Sequence, residues 1–160
     1  MNSNKKIINA SMLAALTFIF TIVIKIPSPI GGYLNLGDAV VLLSGAVLSP
    51  LYAFLAAAIG SSIADLSSGF FIYAPATFII KGLMAYLVAS ASKHTLSRPP
   101  FPKFIAAVVA EIIMVSGYYI FEGFLYGFGV SMINIFPNAL QGVVGFVIGM
   151  ILIRVFKKRR

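Results

Sequence analysis

Apolar residues run almost unbroken from Ile7 to Phe156, interrupted by short clusters of Pro, Gly, Ser, Asn and charge. Such clusters divide a chain into elements. The breaks are Pro27-Ser28-Pro29 with Ile30-Gly31-Gly32-Tyr33-Leu34 behind it, Ser49-Pro50, Ser68-Gly69-Phe70-Phe71, the polar segment from Ser92 to Pro102, and the Gly- and aromatic-rich loop 122–129. They predict six helices, at about 7–26, 36–48, 51–67, 73–91, 103–121 and 131–156. The second and third are short. At 1.5 Å per residue they reach roughly 20–25 Å, less than a hydrocarbon core of about 30 Å, so they are expected to sit among the other helices. A single kinked span over 36–66 is rejected, because Pro50 disfavours helix at Ser49 and roughly thirty residues is too long for one crossing.

Composition turns these helices into membrane spans. Of 160 residues, 60% are hydrophobic and 10% charged, where a soluble domain carries about 25% charge. A cytosolic enzyme, a nucleic-acid-binding domain and a disordered regulator are excluded on that ground. The expected architecture is an all-α, six-helix transmembrane bundle forming one domain over residues 1–160. The net charge of +8 is carried by 12 Lys and Arg against 4 Asp and Glu. Lys5 and Lys6 open the chain, Lys93, Arg98 and Lys103 flank the central polar segment, and Arg154, Lys157, Lys158, Arg159 and Arg160 close it. Short basic loops stay cytoplasmic. That places both termini, the Pro50 turn and segment 92–102 inside, and the loops after helices 1, 3 and 5 outside. Absence of Cys rules out a disulfide framework or a thiolate metal site. The first apolar run lacks a cleavage site followed by a polar mature domain, and is read as a span rather than a signal peptide.

Ionisable groups inside a bilayer are costly and face a cavity or a partner. Helix 4 aligns Tyr73, Thr77 and Lys81 on one face, helix 5 aligns Glu111, Tyr118 and Glu122, helix 6 aligns Asn134, Asn138 and Gln141, and helix 3 aligns Ser61, Asp65 and Ser68. Four converging stripes predict a polar pocket open to the outside among apolar walls. Lys81 and Glu111 sit at matched depth, which fits a structural ion pair, ligand contact, or both. Asn35 and Asp38 open helix 2. A helix cap explains them, with Asn35 as N-cap and Asp38 as the acid of the first turn, and a ligand role is a second reading. Ala10 and Ala14 form a small-xxx-small pattern that permits close helix approach. Lys25 is placed to snorkel to the outer interface, and His94 falls in the basic loop. Tyr33, Phe71, Tyr73 and Tyr118 are candidates to stack on an aromatic heterocycle.

Several chemistries are missing from the sequence. It holds no G-x-x-x-x-G-K-[ST] loop, no metal-binding spacing and no G-x-S-x-G nucleophile motif. No catalytic residue, cofactor or metal is therefore expected, and energy for active transport must come from a partner or an ion gradient.

Particular runs resemble a known family. They are Gly32-Tyr33-Leu34-Asn35-Leu36-Gly37-Asp38, Leu48-Ser49-Pro50-Leu51-Tyr52, Ile59-Gly60-Ser61, Ala64-Asp65-Leu66, Tyr73-Ala74-Pro75-Ala76-Thr77 through Lys81-Gly82, and Pro137-Asn138-Ala139-Leu140-Gln141-Gly142. In order and over nearly the whole chain, they resemble the S components of energy-coupling factor (ECF) vitamin transporters, in the riboflavin-type and hydroxymethylpyrimidine/pyridoxine-type branch. The resemblance implies a non-enzymatic, multi-pass substrate-binding subunit of a prokaryotic plasma membrane, with cytoplasmic termini. It implies capture of a vitamin or precursor (riboflavin, hydroxymethylpyrimidine or pyridoxine-like) near the outer face. Expected contacts are Asn35, Asp38, Asp65, Tyr73, Thr77, Lys81, Glu111, Tyr118, Asn134, Asn138 and Gln141, with Lys81 meeting an anionic or carbonyl group. The resemblance further implies docking through Ala10 and Ala14 onto a membrane T subunit coupled to two cytoplasmic ATPases. The partners are thus small molecule, T subunit, ATPases and lipid bilayer, with no nucleic acid. A stand-alone secondary transporter driven through Glu111 or Asp65 is the alternative, and a lipid-modifying enzyme a distant third.

Overall fold

A computed structural model describes residues 3–93 and 101–158. His94, Arg98, Arg159, Arg160 and most of the central polar segment lie outside the described residues. The chain runs α1 (Ser3–Val23), a two-stranded hairpin of β1 (Ile26–Pro27) and β2 (Tyr33–Leu34), α2 (Gly37–Val47), α3 (Pro50–Ser67), α4 (Ala74–Lys93), α5 (Phe101–Tyr126), a short α6 (Phe128–Ser131) with a 3₁₀ turn (Met132–Asn134), and α7 (Ile135–Lys158).

Among the described residues, five helical stretches are long and apolar enough to cross a membrane: Asn4–Val23, Pro50–Ser67, Ala74–Ala91, Pro102–Tyr126 and Phe128–Phe156. The exception is α2. Its 11 residues rise only ~16 Å, and every residue from Gly37 to Gly45 is buried. Helix α2 is apolar nearly all round, as a helix enclosed on all sides must be. It packs against α1, α3, α4 and α7, so it forms the axis of the bundle. Val40, Val41, Leu42 and Leu43 pack with Met84, Val88, Ala107, Ala110 and Met114 in one core.

Small residues set the helix spacing. A Cβ at Gly60 would collide with the Ala14 carbonyl oxygen, so α1 and α3 are in backbone contact there. A Cβ at Gly45 would fall 2.6 Å from Val88 Cβ and 2.8 Å from the Ala85 carbonyl, which holds α2 close to α4. The Ser49-Pro50 break acts as expected. Ser49 is extended and Pro50 occupies the first turn of α3, where a missing N–H costs nothing.

Two segments differ from expectation. Residues 30–34, read as plain loop, belong to a hairpin in antiparallel register Ile26–Leu34 and Pro27–Tyr33. It turns through Gly32 at φ 73°, a conformation that only glycine adopts cheaply. The fifth helix does not stop at 121. It continues to Tyr126, because Glu122-Gly123-Phe124-Leu125-Tyr126 carries one glycine against four residues that tolerate helix. The expected 122–129 loop shrinks to Gly127, at φ 92°, followed by the turn of α6.

Candidate functional site

The hairpin, the α3–α4 connection and the α5–α6 junction gather at one end of the bundle. Between them lies a cleft of about 30 Å³, lined by Ser28, Gly31, Gly32, Tyr33, Asn35, Asp65, Phe70, Tyr73, Thr77, Tyr118, Glu122, Asn138 and Gln141. Helical spacing explains the lining. Tyr73 and Thr77 are one turn apart at the start of α4, Tyr118 and Glu122 one turn apart on α5, and Asn138 and Gln141 share a face of α7.

Side-chain hydrogen bonds tie these elements together. The Tyr33 hydroxyl donates to Asp65 Oδ1 at 2.8 Å. The Tyr73 hydroxyl donates to Glu122 Oε1 at 3.3 Å. Thr77 Oγ1 and the Tyr118 hydroxyl are 2.9 Å apart. Asn35 donates its backbone N–H to Gln141 Oε1 at 2.9 Å, joining the end of the hairpin loop to α7. Aromatic rings form the wall: Tyr33 lies 4.9 Å from Phe70, and Phe70 meets Tyr73 edge-on at 6.1 Å. Burial, and behind it the Asp65 carboxylate, pushes the Tyr33 phenol above the usual tyrosine range. Burial, then Tyr126 and Glu122, does the same to Tyr73. Both phenols therefore stay protonated, as donors, at neutral pH.

A second polar layer lies under the cleft. Lys81 forms an ion pair with Asp38 Oδ1, and Gln141 Nε2 donates to Asp38 Oδ2 at 2.6 Å. This corrects two expectations. Lys81 pairs with Asp38 and not with Glu111, because α2 runs through the middle of the bundle and presents its acid directly to α4. Asp38 is also not a capping acid. The N-cap position is Leu36, with no side-chain cap bond, and Asn35 Oδ1 instead accepts from the Gly37 N–H at 2.9 Å. Asp38 is wholly buried and turned to the interior.

Of the expected contact residues, the cleft brings together Asn35, Asp65, Tyr73, Thr77, Tyr118, Asn138 and Gln141. Asp38 and Lys81 form the layer beneath. Asn134 stands behind the wall, donating to Glu122 Oε1 at 2.8 Å and to the Gly31 carbonyl at 3.3 Å. Glu111 does not line the cleft: it faces Gly145 of α7 beside Asp38. It borders an apolar groove of about 410 Å³ between α5 and α7, and neither carboxyl oxygen has a hydrogen-bond partner among the described residues. Phe71, expected to stack, is 67% exposed, and Phe70 lines the cleft in its place. Lys25 bonds Ser68 Oγ at 3.0 Å and lies over the Tyr33 ring at 5.8 Å. Ser28, Gly31, Gly32 and Phe70 were not anticipated. Glu122 was visible on the α5 stripe, one turn from Tyr118, and belongs in the lining set.

Comparison with known proteins bears on the family and the fold. Residues 1–158 match the family model of the ECF-type riboflavin transporter S component. The chain is 34% identical over 140 residues to an uncharacterized protein from the gap 3′ region of Pyrococcus woesei, covering 87% of this chain and 93% of that one. It is 29% identical over 154 residues to the thiamine precursor transporter HmpT of Lactococcus lactis subsp. cremoris, covering 93% and 87%. Its fold is similar to the S component of a bacterial ECF transporter, at a TM-score of 0.76 and 22% identity over 98% of both chains. The fold is also similar to the S-component for biotin from an ECF-type ABC transporter, at a TM-score of 0.71 and 16% identity over 98% and 95%. This multi-pass bundle, matched over residues 1–158 by the family model, belongs to the S components of ECF-type riboflavin transporters.

Proposed function

We propose that this chain captures a vitamin or vitamin precursor in the cleft beneath the hairpin and hands it inward through an ECF-type importer. The observation that carries this reading is the convergence of five elements on one small polar cleft walled by aromatic rings. Such a site suits an aromatic heterocycle with several polar edges. Riboflavin, hydroxymethylpyrimidine and pyridoxine-like compounds all fit that description. Asn35, Asp65, Tyr73, Thr77, Tyr118, Asn138 and Gln141 are the proposed contacts. Asp38 and Lys81 act one step back, by holding Gln141 and α2 in place, and Asn134 by holding Glu122.

The subunit acts as a carrier and not as an enzyme. It sits in a prokaryotic plasma membrane with both termini cytoplasmic and the hairpin end outward. A T subunit and two ATPases supply the energy, and the T subunit docks on the α1 side of the bundle. Ala10 is half-buried on α1 and Ala14 is engaged with Gly60 of α3. The outward-facing small residues of the same helix are Ser11 and Ala15.

Two measurements test the reading. Mass spectrometry of the detergent-extracted protein is expected to find a small nitrogen heterocycle that copurifies. Proteoliposomes containing the chain, a T subunit and the ATPases are expected to accumulate that compound only with ATP inside the ATPase compartment. Accumulation by the chain alone, driven by an ion gradient, would overturn it.

A further inference from the structure

The cleft is lined by acids and by no base. Two of its lining residues, Asp65 and Glu122, are acids, and no Lys, Arg or His is among the residues that line it. The nearest buried cation, Lys81, is committed to Asp38 and lies 5.4 Å from the centre of the Tyr118 ring, outside the residues that line the cleft. Lys25 lies over the Tyr33 ring and is bonded to Ser68.

One of the two acids also keeps acceptor capacity. Glu122 is 2% exposed, and its Oε2 has no hydrogen-bond partner among the described residues. Its Oε1 already accepts from Tyr73 and Asn134, which fixes the carboxyl in orientation. A buried acceptor without a donor is costly. A ligand that supplies an N–H removes that cost, and one that brings a second anion adds repulsion in a poorly screened site. The four rings of Tyr33, Phe70, Tyr73 and Tyr118 favour an aromatic body, and their faces favour positive over negative charge.

Resting on the capture reading above, we infer that the cleft selects a neutral or cationic heterocycle presenting amino or ring N–H donors to Glu122 and Asp65, and rejects phosphorylated or carboxylated vitamins. This sets aside the anionic half of the expectation that Lys81 meets an anionic or carbonyl group. The discriminating residues are the two acids, and Lys81 is a positioning residue for α2.

Calorimetry on the detergent-solubilised full chain tests this with four probes: hydroxymethyl-aminopyrimidine, its phosphate ester, pyridoxamine and pyridoxamine phosphate. Each amine is expected to bind roughly a hundredfold or more tighter than its phosphate, since a like-charge juxtaposition costs several kcal/mol. Glu122→Gln and Asp65→Asn preserve side-chain shape. Each is expected to weaken the better amine about tenfold and to narrow the amine-to-phosphate ratio, with the thermal transition of the free protein little changed. Phosphate esters binding as tightly as their parents overturn the inference, as does a ratio unmoved by both variants. If none of the probes binds while the chain still assembles with T and ATPase subunits, the inference about charge falls and the carrier reading stands. If assembly also fails, both fall.

Discussion

At the residue scale, the Asp38–Lys81 pair is the structural centre. Both groups are buried to within a few per cent, and Asp38 holds Gln141, which in turn holds the Asn35 backbone. Removing one partner of a buried pair leaves an uncompensated charge, at a cost of about 3–5 kcal/mol. Replacing both partners by apolar residues of similar volume often costs little. Lys81→Met alone is therefore expected to lower the unfolding free energy in detergent by about that amount, and Lys81→Met with Asp38→Leu to recover most of it. Strictly additive losses in the double variant would show that the two side chains act independently. The pairing could not be read from sequence for a definite reason. Counting residues along α4 and α5 gives the depth of Lys81 and Glu111, and depth alone does not say which helix lies between them. Asp38 sits in the first turn of α2, where the helix dipole offers an acid a reason to be there. That local reason concealed its interior role.

At the element scale, the six long or central helices follow from apolar runs and Pro-Gly punctuation, because those signals are local. The ends are less legible. Gly123 interrupts an otherwise helical run, and whether a helix survives one glycine depends on what packs over it. Here the Phe128 ring closes over Gly123. The hairpin escaped detection because two-residue strands carry no period. The burial of α2 was only half legible. Its length ruled out an independent span, while its place on the axis depends on neighbours distant in sequence. The contact between Ala14 and Gly60 bears on the small-residue pattern of α1. Ala14 already serves internal packing, so Gly60→Val is expected to push α1 off α3 and destabilise the bundle by about 1–3 kcal/mol. Ala15→Leu, on the exposed side of the same helix, is expected to leave thermal stability and ligand binding intact while reducing copurification of the T subunit. Normal copurification with Ala15→Leu would move the docking surface off α1.

At the scale of the whole molecule, the cleft is too small for its proposed guest. A cavity of about 30 Å³ holds a water or two, whereas small-molecule sites run to about 300–1,000 Å³. Something must move, and the contacts say what. The helices around the cleft are tied by the α2 core, while the 24–36 segment is held across the cleft by the Tyr33–Phe70 ring contact and a few polar bonds: Lys25 to Ser68, Tyr33 to Asp65, Asn134 to the Gly31 carbonyl, and Asn35 to Gln141. Each is worth about 0.5–1.5 kcal/mol net, more where a carboxylate accepts, so swinging the hairpin outward breaks a handful of modest bonds and leaves the apolar core intact. The native chain contains no Cys, so an introduced pair reports unambiguously. Lys25→Cys with Ser68→Cys, joined by a short bismaleimide, ties the hairpin to the α3–α4 turn without altering a cleft-lining side chain. Stopped-flow quenching of tyrosine fluorescence is expected to show ligand association slowed by more than tenfold after cross-linking, relative to the same double variant before the cross-linker is added. Addition of the cross-linker to protein already loaded with ligand is expected to slow release to a similar degree, because entry and exit then share the same closed door. Association that proceeds at the original rate in the cross-linked protein would mean that the opening lies between helices, and that the hairpin is a fixed part of the wall.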